Sequence, residues 1–106
     1  MKTTRYALLL SLALATAAQA EDTPAEVWTA KCKSCHGPDG KAQTNVGKKE
    51  NVPDMSTPDW QKAHTDADIK KIIAEGSTKN TKMKAYKDKL TPEQIDALVA
   101  YVRTLK

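Results

Sequence analysis

The chain has 106 residues, two cysteines, no phenylalanine and a formal net charge of +4. So weak a positive balance argues against a nucleic-acid partner, which selects strongly basic surfaces. Two cysteines also cannot supply the second ligand pair that a zinc ribbon needs.

The first twenty residues, MKTTRYALLLSLALATAAQA, have the layout of a secretory signal peptide. Lys2 and Arg5 charge the start, Ala7 to Ala18 is a charge-free run, and Ala18-Gln19-Ala20 is an A-x-A cleavage site. That run is too short for a membrane-spanning helix, which needs about 20 apolar residues. Cleavage is expected to remove residues 1–20 and leave residues 21–106 as one small domain outside the cytoplasm, with its charge reduced to +2 by the loss of Lys2 and Arg5. Four Ile, three Leu and five Val make a thin core for that domain, and chains of this size often need a staple. A disulfide between Cys32 and Cys35 closes too short a loop to serve as one.

Thr23-Pro24-Ala25-Glu26 reads as a capping box with Pro24 at the first helical position. The helix is expected to run to about His36, where Gly37 supplies a left-handed residue and Pro38 prevents continuation. Residues 37–64 hold three glycines and three prolines and read as a long loop with short helical turns at most. A second helix fits residues 66–75, with Thr65 as cap, Ile69, Ile72 and Ile73 as its buried face, and Gly76 as its stop. Residues 77–90 form another loop. Thr91-Pro92-Glu93-Gln94 then repeats the capping device ahead of an amphipathic stripe of Ile95, Leu98, Val99, Val102 and Leu105, with Tyr101 at its edge. No segment shows convincing period-2 alternation, so the fold class is all-α.

Within "KCKSCHGPDG", Cys32, Cys35 and His36 fall on one helix. Residues at i and i+3 share a face, so both thiols can reach the two vinyl groups along one edge of a porphyrin, with the adjacent imidazole approaching the iron. C-x-x-C-H is the attachment motif of c-type haem. A thioredoxin-like redox pair would need a βαβ context, which is absent. A covalently held haem also answers the thin core and gives the loop of residues 37–64 something to wrap.

With this motif, the capped first helix, the middle helix, the Met-bearing loop and the final amphipathic helix, the chain resembles the class I c-type cytochromes, the small single-haem carriers of bacteria and photosynthetic systems. The resemblance covers essentially the whole of residues 21–106. It implies a cytochrome c fold, three main helices around one covalently bound haem c, with the first and last helices crossing where Trp28 meets Leu98 and Tyr101. Trp28 also reads as ordinary core.

Met55, Met83 and His64 are the candidates for the iron's other face. The resemblance favours Met83, because that loop is where the family keeps its axial methionine. The proline that often follows the methionine is Lys84 here, so a softer loop is expected. By resemblance Met55 packs on the haem as an apolar residue, the Pro53 carbonyl accepts from His36 Nδ1, and the Trp60 indole bonds a propionate. Tyr86 joins these contacts around the cofactor.

Lys79, Lys82, Lys84, Lys87 and Lys89 cluster around Met83, and Lys31, Lys33 and Lys41 flank the motif. They read either as a solvated face or as a positive ring that steers the protein onto an acidic docking surface. The expected function is that of a soluble, monomeric electron carrier between exported or membrane redox proteins, in the periplasm or a photosynthetic lumen, without stable membrane insertion and without enzymatic activity. The alternative is a haem-based ligand binder or sensor with a labile sixth ligand. A peroxidase reading finds no supporting signature.

Overall fold

The computed structural model describes residues 22–106. The expected signal peptide, residues 1–20, lies outside the described residues. Six helices follow in order: α1 (Pro24–Val27), α2 (Lys33–His36), α3 (Asn45–Lys49), α4 (Pro58–Ala63), α5 (Asp66–Glu75) and α6 (Pro92–Arg103). Among the described residues there is no strand, and no helix is long and apolar enough to cross a membrane. The fold is all-α, as the sequence led us to expect.

Threonine caps set the helix starts. Thr65 and Thr91 each form a complete capping box, with Asp68 and Gln94 as the returning side chains. At Thr23 only half of the expected box forms: its hydroxyl accepts from the Glu26 N–H at 3.2 Å, while Glu26 does not return the bond. Thr23 is exposed, so water can serve its N–H instead. The loop expected over residues 37–64 holds two short helices, α3 and α4, capped by Thr44 and Thr57.

The first helix is continuous from Pro24 to His36 but not uniform. α1 and α2 are joined by a π-helical turn, Trp28–Cys32, in which the Lys33 N–H bonds to the Trp28 carbonyl five residues back. One extra residue in the turn rotates everything after it, which changes the direction in which Cys35 and His36 face. Such turns occur often at functional sites.

Trp28, at the start of the π-helical turn and only 3% exposed, packs its ring 5.2 Å from that of Tyr101 on α6. Ile69 and Ile73 of α5 join Ile95, Leu98, Val99 and Val102 of α6 in the same apolar cluster. Each such buried side chain stabilises the fold by about 1.5–3 kcal/mol relative to exposure. Leu105, expected on the helical stripe, lies beyond the end of α6 yet is buried. The loop at Gly40 passes directly over it, so close that a Cβ there would sit 2.5 Å from a Leu105 methyl.

Candidate functional site

α2 ends at Gly37, whose φ of 78° turns the chain away after His36. Two bonds hold that turn: the Trp28 indole donates to the Gly37 carbonyl at 2.9 Å, and the Ala42 N–H donates to the His36 carbonyl at 2.9 Å. α3 then packs against the same segment. The Thr44 hydroxyl donates to the Ser34 carbonyl at 2.8 Å while accepting from the Gly47 N–H at 2.8 Å. Gly47 is required there, because a Cβ would stand 2.4 Å from the Cys35 carbonyl oxygen.

Cys32 and Cys35 are half-buried and neither is in a disulfide. Burial pushes the Cys32 thiol up to about 11, against an opposing pull from Lys31. Burial also holds the His36 imidazole below its ordinary 6.5, which favours the neutral form that binds metal. The ring lies 5.8 Å from that of Trp28. Its Nδ1 is buried without a hydrogen-bond partner, so the bond expected to the Pro53 carbonyl is not formed. Pro53 is exposed, two residues before Met55, whereas Nδ1 is enclosed.

The loop carrying Met83 is brought to this motif by Tyr86. The Tyr86 hydroxyl donates to the Lys31 carbonyl at 3.3 Å, and its phenol is raised by burial, with smaller contributions from Cys32 and Cys35. The loop is also anchored to α5: the Tyr86 N–H donates to Ile73 at 3.0 Å and the Ser77 N–H to the Met83 carbonyl at 3.1 Å. Gly76, at φ +83°, lets the loop pass close, since a Cβ there would sit 2.9 Å from the Met83 carbonyl oxygen. Met83 and Cys32 are both half-buried against the central cluster.

The other candidates are held in other ways. Met55 is a core residue, 7% exposed. The His64 ring stacks on Trp60 at 4.4 Å, and its carbonyl accepts from Arg103. Lys41, expected in the lysine ring, turns inward and donates to Ser56 at 2.8 Å. The remaining ring lysines are exposed. Three residues that sequence reasoning missed hold the fold around the site: Thr44 and Asn80 beside it, and Arg103 at the α4–α5 junction. Of these only Thr44, in the cap-like "TNVG" stretch, left a readable sign.

A family model described as "Cytochrome C oxidase, cbb3-type, subunit III" matches residues 19–102. The chain belongs to this family of c-type cytochrome domains. The cytochrome is similar to the "Cbb3-type cytochrome c oxidase subunit FixP" of Azorhizobium caulinodans, at 36% identity over 89 residues, which is 79% of this chain and 28% of that protein. It thus spans under a third of that relative's length. Among solved structures, "KustC0563 c-type cytochrome" superposes with a TM-score of 0.72 at 34% identity, covering 80% of this chain and 99% of that one. A point variant of the same cytochrome gives 0.70 at 34%, covering 80% and 100%.

The cofactor of a c-type cytochrome is covalently bound haem. The residues present fit it: two free thiols on one short helical run, a half-buried imidazole whose enclosed Nδ1 has no partner, and a thioether loop hydrogen-bonded to that run.

Proposed function

We propose that this cytochrome is a single-haem electron carrier in which Cys32 and Cys35 would hold the haem by thioether bonds and His36 and Met83 would bind its iron. The observation that carries the reading is the Tyr86–Lys31 bond, which ties the Met83 loop to the helix bearing Cys32, Cys35 and His36. Haem supplies an iron that gains and loses one electron. The protein does the rest. Burial keeps His36 neutral and available to a metal, and the apolar cluster excludes water. An imidazole–thioether pair raises the potential and leaves no open position for a substrate, which favours a carrier over an enzyme.

The exposed lysines around Met83 steer the carrier onto a redox partner with an acidic surface. The likeness to a cbb3-type oxidase subunit makes an oxidase-type complex a fitting acceptor, and the leader-like start of the sequence fits export to the periplasm. Electron transfer to such a partner is expected to slow with salt, as the screening length falls from about 10 Å at 0.1 M to about 3 Å at 1 M.

Absorption spectra test the assignment. The ferric protein is expected to show the weak near-infrared sulfur-to-iron band. Met83→Ala should abolish it and open the iron to carbon monoxide in the ferrous state, while Met55→Leu, a swap of similar volume, should leave the band. Rapid carbon monoxide binding by the wild type, unchanged by Met83→Ala, would turn the reading to a ligand binder or sensor.

A further inference from the structure

Asn80 lies three residues before Met83 and is bonded on every side. Its Nδ2 donates to the Glu50 carbonyl at 3.2 Å, thirty residues away in sequence. Its Oδ1 accepts from the Lys82 N–H at 3.0 Å. Its carbonyl accepts from the Met83 N–H at 3.0 Å, and its own N–H donates to the Ser77 hydroxyl at 3.3 Å. Three of these bonds close the turn on itself. The fourth crosses to the opposite loop.

That crossing ends on a fixed point. Glu50 caps α3, with its N–H on the Val46 carbonyl at 2.9 Å. α3 is bonded through Thr44 to the Ser34 carbonyl at 2.8 Å and the Cys35 carbonyl at 3.3 Å. A continuous line of bonds therefore runs from the Met83 turn through Asn80, Glu50 and α3 to the segment that bears Cys35 and His36. The Lys82–Glu50 ion pair parallels it at 3.6 Å, but the Lys82 side chain is 68% exposed, and exposed pairs contribute little. The Asn80 bond is neutral and half-buried, so it is the stronger tie.

We propose that Asn80 is a positioning residue, a latch that holds the Met83 loop against the α3 wall and limits how often the loop swings away from the iron. This rests on Met83 being an axial ligand. The latch takes over the role of a rigid residue at position 84, where the chain has Lys84. Loops open locally at free energies well below that of global unfolding, and a small anion enters a six-coordinate site only while the thioether is away. Removing the latch raises that open fraction without removing the ligand.

The test is the rate of cyanide binding to the ferric holoprotein, measured with the near-infrared band in Asn80→Ala, Asn80→Asp and Met83→Ala. Asn80→Asp keeps the acceptor for the Lys82 N–H, and so the local turn, but loses the donor to Glu50. Both Asn80 variants should retain the band and bind cyanide about three- to tenfold faster than wild type, the population change expected from losing one net hydrogen bond. Met83→Ala should lack the band and bind faster still. If Asn80→Asp binds at the wild-type rate while Met83→Ala is fast, the latch is overturned and the axial assignment stands. If Met83→Ala also matches wild type in band and rate, the axial assignment falls and the latch with it.

Discussion

The indole Nε1 of Trp28 donates to the Gly37 carbonyl at 2.9 Å, so the side chain that opens the π-helical turn also fastens the end of the helical run. Trp28→Phe keeps a ring against Tyr101 and His36 but leaves the buried Gly37 carbonyl without its donor. The expected loss is about 1–3 kcal/mol of stability. Guanidinium unfolding of the holoprotein followed by circular dichroism measures it, and an unchanged midpoint would mean that the carbonyl needs no protein donor.

Gly76 sits at φ +83° and ψ 173°, a region that is nearly glycine-only. Gly76→Ala should destabilise by about 1–3 kcal/mol from backbone strain alone. It should also displace the Met83 carbonyl, which lies 2.9 Å from the new methyl position. The expected signature is a weakened sulfur-to-iron band in a protein that keeps its helical content. A band of full strength would show that the loop yields without moving the thioether.

Arg103 joins α6 to the α4–α5 junction. It donates to the Gln61 carbonyl at 2.8 Å, to Gln61 Oε1 at 2.9 Å, to the His64 carbonyl and to Asp66 at 2.7 Å. Gln61 in turn donates to Met55 at 2.8 Å and to Val102 at 3.0 Å. The carbonyl bonds outweigh the ion pair, because the Asp66 side chain is 73% exposed. Arg103→Ala should therefore cost about 1.5–3 kcal/mol, the range for bonds to a charged group, whereas Asp66→Asn should cost under about 1 kcal/mol. Equal losses in thermal melts would contradict this ranking.

The Ser56 hydroxyl and its N–H, the latter at 2.8 Å, both donate to Asp54 Oδ1. These bonds hold the Asp54 carboxyl below its ordinary 3.8. A depressed folded-state value means that the contribution is present above the ordinary value and is lost as pH falls through the lowered one. Asp54→Asn should therefore melt lower than wild type at neutral pH and converge with it in acid. A difference in melting temperature that persists through the acid range would assign the effect to packing.

The legible parts of the fold were those in which one residue type has one local job. Thr65 and Gly76 bounded α5 as expected, Thr91 and Pro92 opened α6, and Gly37 took its positive φ after His36. α4 carried the same Thr-Pro sign at Thr57 and Pro58, hidden by the polar, glycine- and proline-rich stretch around it. The π-helical turn left no sign, because it is a shift of one backbone bond, from Lys33 to Trp28, that no side chain demands. Asn80 and Glu50 were equally silent. Polar loop residues follow no period, and their pairing depends on how two distant loops meet. At the site, the Cys32, Cys35 and His36 grouping was readable from spacing. The inward turn of Lys41 was not, because it needs Ser56 to be folded beneath it.

The contact between Trp28 and Tyr101 has a consequence for biogenesis. A ribosome makes Trp28 long before Tyr101, so the ring that opens the Cys32-bearing turn has nothing to dock on while the intervening chain emerges. Until α6 arrives, the turn that carries Cys32 lacks part of the cluster against which its thiol is half-buried. A chain ending at Leu90 should thus leave Cys32 as quick to react with a thiol reagent as it is in denaturant, and a slower reaction would mean that the turn packs without α6. The order of synthesis leaves the Cys32 turn short of its packing until the last helix is made.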